Sequence, residues 1–477
     1  MTREHVGGAA VGEELAAAEF VVGGSDQLQK LRDRYQGELD QEQERTLRQE
    51  WDEELRKLQV RIGTLLKTDT VSFLFGAGVS KDCGGVLFGS VPKEIEGRLL
   101  DEGVLQGQPP RVCDWLLHFY RAVQESSQGE ASAPLTPDAV AQRRVDLGNA
   151  EPLHANYEQV VSQLYRWRNA LGCSQSGSLN VTTEHVSFEA NVDDLQKAIH
   201  KATDTLAVSV RLPVEGKESE LHSFRMFCRK VLARPLNLRR ASVFTLNYDT
   251  LLEQAADAEG VVLVDGFSGT LRRVFRPETY DQDLYFPAQT TEGRVHRYDR
   301  VLHLYKLHGS LSWSAEAPGL GNPYGVAVWQ EPKPQCPLIY PTPSKYGEVL
   351  GMPYAELFRR FAATVVRPQS TLFAVGYGFG DEHVNAIIHQ ALAVPSFTLV
   401  VVDPSAGSEF VQRLRELKDS RVWILSGMTL GTFAGFVHRA LPDLKEDEIQ
   451  TKVHETWRAL GVAKSSGEVA PEDDPDA

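Results

Sequence analysis

The chain has 477 residues, with 50 lysines and arginines against 65 aspartates and glutamates, for a formal net charge of −15. That length predicts about two to three structural units, and an acidic surface repels phosphate backbones, so no direct binding of nucleic acid is expected. No stretch approaches the roughly 18 apolar residues that cross a bilayer. Glu13, Glu14 and Glu19 interrupt the apolar part of MTREHVGGAAVGEELAAAEF, which argues against a secretory signal and for a cytoplasmic location without membrane contact.

Residues 1–67 read as an N-terminal helical arm. Between 25 and 67 there is no proline, and both charge signs recur at helical spacing beside a narrow apolar stripe that includes Leu28, Leu31, Tyr35, Leu55, Leu58, Val60 and Ile62. Two uses of that stripe stand side by side: an oligomerisation arm, or a helix lying on the core. From Val71 the pattern changes to short apolar runs ending in Gly, Asn, His or Asp. These are VSFLF (71–75), SVFTL (242–246), VVLVD (261–265), VLHLYKL (301–307), TLFAVG (371–376), FTLVVVD (397–403) and VWILSG (422–427). Near-continuous apolar strands alternating with helical stretches predict an α/β fold, a Rossmann-like parallel sheet with helices on both faces, over 68–90 and 236–430. The interval 91–235 reads as a large helical insertion, with helices over 152–171, 192–210 and 217–233 and surface loops at 126–137 and 173–183. Helices are expected over 431–464, and a disordered acidic tail over 465–477.

Four polar or glycine-rich clusters each follow a predicted strand, and parallel sheets bind ligands beyond the carboxyl ends of their strands. The first is Gly76-Ala77-Gly78-Val79-Ser80, where glycines would let backbone approach a pyrophosphate. The second runs from Thr245 through Asn247 to Asp249, and the third from Lys306 through His308, Gly309 and Ser310. Either polar residue has a plain structural use: Asn247 and Asp249 can cap a helix, and a single histidine is often structural. Together they supply an amide to orient hydroxyls or water and an imidazole that takes a proton near neutral pH. The fourth cluster is Gly376-Tyr377-Gly378-Phe379-Gly380-Asp381-Glu382-His383. Asp381 and Glu382 suit a helix N-terminus, whereas the glycines point to a closely approaching ligand.

This set of residues resembles the sirtuin family, whose GAG-x-S loop, Asn-x-Asp segment and His-Gly pair correspond in order to GAGVS (76–80), NYD (247–249) and HGS (308–310). The longer stretches KLHGSLSW, YPTPSKYGEVLGMPY and VGYGFGDEHVNAII resemble the bacterial sirtuin-like branch of antiphage defence, whose members hydrolyse NAD and in some cases work with a HerA-type ATPase. The resemblance implies that NAD is the substrate, with Asn247 holding ribose hydroxyls or the attacking water, His308 acting as base and Asp249 orienting the loop or a hydroxyl. It also implies that Gly76, Ala77, Gly78 and Ser80 hold the pyrophosphate and that Asp403 suits the adenosine ribose. Thr245, Gly309, Ser310, Gly376, Gly378 and Phe379 complete the expected binding residues.

The sequence also departs from the deacetylase sirtuins: their Gly-Thr/Ser turn is replaced by Gly376-Tyr377-Gly378 and their adenosine-side Ile-Asn segment by Val402-Asp403. Their paired-cysteine zinc module is absent, since Cys83, Cys113, Cys173, Cys228 and Cys336 form no Cys-x-x-Cys pair, so no zinc is expected. Their Gly-Ile-Pro-Asp-Phe-Arg stretch is replaced by GGVLFGSVPKE. An NAD glycohydrolase releasing nicotinamide and ADP-ribose is therefore the leading expectation. An NAD-dependent deacylase or ADP-ribosyltransferase and a non-catalytic NAD-binding scaffold are the alternatives. A homo-oligomer is expected from the size of the helical additions, and a HerA-like ATPase partner from the resemblance.

Overall fold

The computed structural model describes residues 11–35, 40–85, 221–286, 296–329 and 352–445, with short pieces between 142 and 199. Its main sheet has nine strands: β1 (Glu19–Val22), β2 (Ser25–Asp26), β3 (Thr70–Phe75), β4 (Ser242–Thr245), β5 (Val262–Val264), β6 (Val301–Lys306), β7 (Ser370–Val375), β8 (Thr398–Val402) and β9 (Val422–Ser426). Their spatial order is β2-β1-β9-β8-β7-β3-β4-β6-β5. From β9 to β5 every neighbouring pair is parallel, and only the β1–β2 hairpin runs antiparallel, on the β9 edge. All the runs expected as strands are found in the parallel part. The chain leaves β3 toward β4 on one side, and from β7 it proceeds through β8 to β9 on the other. The boundary between β3 and β7 is therefore the point where strand order reverses, the usual position of the ligand crevice in such sheets.

Two apolar cores cover the two faces. Because successive strand residues point to opposite sides, Phe73 and Phe75 enter one core while Leu74 enters the other, and Phe373 and Val375 oppose Leu372 and Ala374 in the same way. On the first face lie α1 (Val11–Ala16), α2 (Gln29–Arg34), α3 (Gln41–Leu66), α4 (His222–Leu232) and α5 (Leu251–Glu259), together with the short segment 433–440. On the second lie α6 (Tyr354–Val365), α7 (Glu382–Leu392) and α8 (Glu409–Glu416). The fold class expected from the sequence, a Rossmann-like α/β sheet with helices on both faces, is thus present.

The long helix α3 starts at a reciprocal cap: Asp40 accepts a hydrogen bond from the Gln43 amide at 2.8 Å, and the Gln43 side chain accepts one from the Asp40 amide at 3.1 Å. Leu47, Trp51, Leu58 and Ile62 are buried against the first core, whereas Val60 is 70% exposed. Of the two uses open to the apolar stripe, the structure shows the helix on the core. Residues 1–67, expected as a helical arm, also supply β1 and β2, so their described part completes the sheet rather than standing off it. Likewise α4, within the interval expected as an insertion, buries Phe224, Phe227 and Val231 in the first core. Within the same interval Ser178–Thr182 and Ser187–Asn191 pair as an antiparallel hairpin where helix and loop were expected. Beyond β9, Phe433–Gly435 is helical and continues as a π-helical turn to Ala440. The expected loop at 126–137 and the acidic tail at 465–477 lie outside the described residues, as does most of 91–220.

Candidate functional site

Strand register brings the four clusters to one edge. Val402 pairs with Val375, Val375 with Phe75, Phe75 with Thr245, and Thr245 with Lys306. The residues that follow these positions therefore emerge side by side: Asp403, Gly376, Gly76, then Leu246-Asn247 and Leu307-His308. The Leu307 amide donates to the Thr245 carbonyl at 2.9 Å, and the Leu311 amide to the Tyr248 carbonyl at 3.0 Å, so the Asn and His loops are stitched together on both sides of His308.

The Gly76 loop and the Asn247 loop share a polar knot. Asn247 Nδ2 donates to the Gly76 carbonyl and to Ser80 Oγ, both at 3.0 Å. Ser80 Oγ in turn donates to Asp249 Oδ2 at 2.6 Å, and Asp249 Oδ1 accepts from the Leu251 amide at 3.1 Å at the start of α5. Ser80, expected at the pyrophosphate, is 4% exposed, and its hydroxyl joins Asn247 to Asp249. Asp249 holds its loop with both oxygens. Below them Lys306, which is buried, donates to the Asp249 carbonyl and to Glu253 Oε1, the latter at 2.7 Å. The strand lysine and the α5 glutamate brace the Asn loop from below, a role that no local spacing in the chain announces.

The glycines divide into two groups. A Cβ on Gly76 would stand 2.5 Å from the Gly376 carbonyl oxygen, and one on Gly78 would stand 2.8 Å from Gly376 Cα. Gly376 has φ +60° and lies against Gly78 and Val79 in return. The Gly78 amide donates to the Gly376 carbonyl at 2.9 Å. Close approach of one loop to the other, at the reversal point itself, accounts for these three glycines, where a ligand had been the expected cause. Gly378 and Gly380 differ, since a Cβ on either would meet nothing within 4 Å. Between them Phe379, with φ +56°, is buried and stacked on Phe410 at 5.0 Å.

His308 is 8% exposed and lies between Tyr248, at 6.5 Å between ring centroids, and Phe358, at 6.1 Å. Gly309, with φ +93°, makes the turn that follows it. His308 Nε2 is 3.3 Å from Asp381 Oδ2, a contact that pairs the third cluster with the fourth. Asp381 also caps α7, its Oδ1 accepting from the His383 amide at 3.1 Å and the Val384 amide at 3.4 Å. The hydroxyl of Tyr377 lies 3.1 Å from the Asp381 carbonyl and accepts from the Asp381 amide at 3.2 Å. Burial, reinforced by the nearby Asp381 charge, pushes the Tyr377 phenol well above its ordinary value, so it stays a neutral clamp.

Three expected binding residues have structural occupations. Thr245 Oγ1 accepts from the Asn247 amide at 3.0 Å, and Ser310, fully buried, bonds Ser312 Oγ at 3.0 Å. Asp403 folds its own turn, with Oδ1 accepting from the Ser405 and Ala406 amides at 2.9 and 2.7 Å. Among the described residues no group of three His, Cys, Asp or Glu side chains could hold a metal ion, and no helix is long and apolar enough to cross a membrane.

Fold and site together define a Rossmann-like α/β protein whose polar loops converge where the strand order reverses. Residues 241–422 match the family described as the SIR2-like domain. The matched segment holds Asn247, His308, the Gly376–Asp381 loop and Asp403, and begins after the GAGVS loop. Members of that family are NAD-dependent enzymes, which ties the chain to NAD-related activity in general. No curated protein matches the chain.

Proposed function

We propose that the protein is an NAD glycohydrolase that cleaves the nicotinamide–ribose bond with Asn247 and His308 as its centre. The observation that carries this reading is the register-fixed meeting of the Asn247, His308, Gly76 and Gly376 loops at the reversal point of a sheet whose 241–422 segment is SIR2-like. Nicotinamide leaves as a neutral ring, so no acid is needed for it. The requirements are a stabilised oxocarbenium-like sugar and a positioned nucleophile, as in glycoside cleavage.

Both hydrogens of the Asn247 amide are engaged by Gly76 and Ser80, which aims its Oδ1 as the acceptor for a ribose hydroxyl or the attacking water. His308 takes the proton from that water or hydroxyl, and Asp249 holds the loop in place. Gly76, Ala77 and Gly78 stand at the pyrophosphate, Gly378 beside open space with Phe379 buried behind it, and Asp403 toward the adenosine ribose. The stretches KLHGSLSW and VGYGFGDEHVNAII support a place among NAD-depleting effectors of bacterial antiphage defence, acting in the cytoplasm as a homo-oligomer with a HerA-like ATPase as companion.

Incubating the purified chain with NAD and quantifying nicotinamide, ADP-ribose and modified protein tests the reading. Asn247→Ala and His308→Ala are expected to lower nicotinamide release by about two orders of magnitude, the scale of a lost acid–base group. Asn247→Ala also breaks two hydrogen bonds, each worth about 1 kcal/mol, so its melting curve must accompany its rate. Wild-type turnover in a folded His308→Ala variant removes His308 from the centre.

A further inference from the structure

We propose that Asp381 is a positioning residue that sets the basicity of His308. The inference deepens the reading above, in which His308 is the base. Capping α7 needs one side-chain oxygen, and serine, threonine or asparagine would serve as well. Asp381 uses Oδ1 for that purpose and turns Oδ2 to His308 Nε2 at 3.3 Å, with both side chains almost wholly shielded from water. Burying a carboxylate beside an imidazole is costly unless the two are paired. The position of Asp381 is also fixed independently of the histidine, by the Tyr377 hydroxyl and by Asn385, whose side chain donates to the Phe379 carbonyl at 2.9 Å.

A carboxylate 3.3 Å from Nε2 stabilises the imidazolium over the neutral ring and so raises the basicity of His308. In the hydrolytic step the water oxygen bonds to the ribose anomeric carbon and its proton passes to the His308 imidazole. The carbon–nitrogen bond breaks, and its electron pair leaves with nicotinamide. Among the described residues Tyr248 and Phe358 flank the ring, and His383 lies behind Phe358, 4.7 Å between ring centroids. On its own strand Lys306 is turned away to Glu253.

The full chain is tested as wild type, Asp381→Asn and Asp381→Ser, both of which keep a capping side chain. The first readout is the NMR titration of His308, assigned with His308→Gln. The His308 pKa is expected to fall by about one unit or more when the carboxylate is removed, the usual effect of losing an adjacent opposite charge. The second is the pH profile of nicotinamide release: its acid limb moves to lower pH in the variants and its neutral-pH rate drops at least about tenfold, while the melting temperature stays at the wild-type value. A His308 titration unchanged in whichever variant folds overturns the proposal. The titration does not depend on turnover, so a wild type that releases no nicotinamide sinks the glycohydrolase reading while the pairing is still decided.

Discussion

Alanine at Gly76, set against alanine at Gly378, separates glycines that serve loop packing from glycines that leave room for a ligand. At Gly76 the new methyl group would lie 2.5 Å from the Gly376 carbonyl oxygen and 2.6 Å from Tyr377 Cα. Both are backbone atoms of a loop held between strand β7 and helix α7, so neither can rotate away. Forcing a methyl group into such a contact costs about 1–3 kcal/mol. At Gly378 nothing lies within 4 Å and the backbone is outside the left-handed region. Alanine there restricts mainly the unfolded chain and is neutral or stabilising by roughly 0.4–1 kcal/mol. Urea unfolding of both variants, together with nicotinamide release from NAD, reads the two effects separately. The expected outcome is a destabilised Gly76→Ala and a Gly378→Ala that is as stable as wild type but cleaves NAD more slowly. A Gly76→Ala protein as stable as wild type refutes the loop-packing account, and full activity in Gly378→Ala moves the substrate away from that side of the cleft.

Two further perturbations test the frame around the site. The Arg229 guanidinium, helped by Arg225, holds the Glu259 carboxyl well below its ordinary 4.5, at about 2, and so ties α4 to α5. Because the folded value is depressed, this stabilisation is full above pH 4.5 and is lost as pH falls toward 2. Glu259→Gln should therefore unfold at lower urea than wild type at pH 7, with the gap closing across that acid range; equal midpoints at neutral pH would show that the tie contributes nothing. Trp51, 2% exposed on α3, packs into the first core, so Trp51→Ala should cost about 3–5 kcal/mol in the single main transition. An unaltered main transition would mean that α3 folds apart from the sheet.

The parallel strands were legible because they are apolar runs, buried on both sides except at the β5 edge, and stopped by a residue that ends a strand, as in TVSFLF before Gly76. The β1–β2 hairpin was not. Its strands are only Glu19–Val22 and Ser25–Asp26, and Glu19, which reads as a solvated charge, is paired with Arg415 at 2.6 Å. Within the site, Asn247, Asp249 and His308 stood out by type and by position after strands, and the structure brings their loops together. Asp381 was legible only as a cap, because its contact with His308 depends on which strands are neighbours, and local spacing does not carry that information. The same holds for Gly76 and Gly376, whose partners are each other across about 300 residues of chain. Lys306 looked like an interruption of an apolar strand until Glu253 and the Asp249 carbonyl were found beside it.

The β1–β9 pairing also constrains the order in which the molecule is made. Glu19 faces Ser426, and the Ser426 hydroxyl reaches back to the Glu19 carboxylate across 407 positions of sequence. During synthesis the edge hairpin leaves the ribosome long before its partner exists, and contacts so distant in sequence form late and slowly. Residues 19–26 must wait without a sheet to join while the parallel strands assemble, and the β1–β9 seam closes only after residue 426 has emerged.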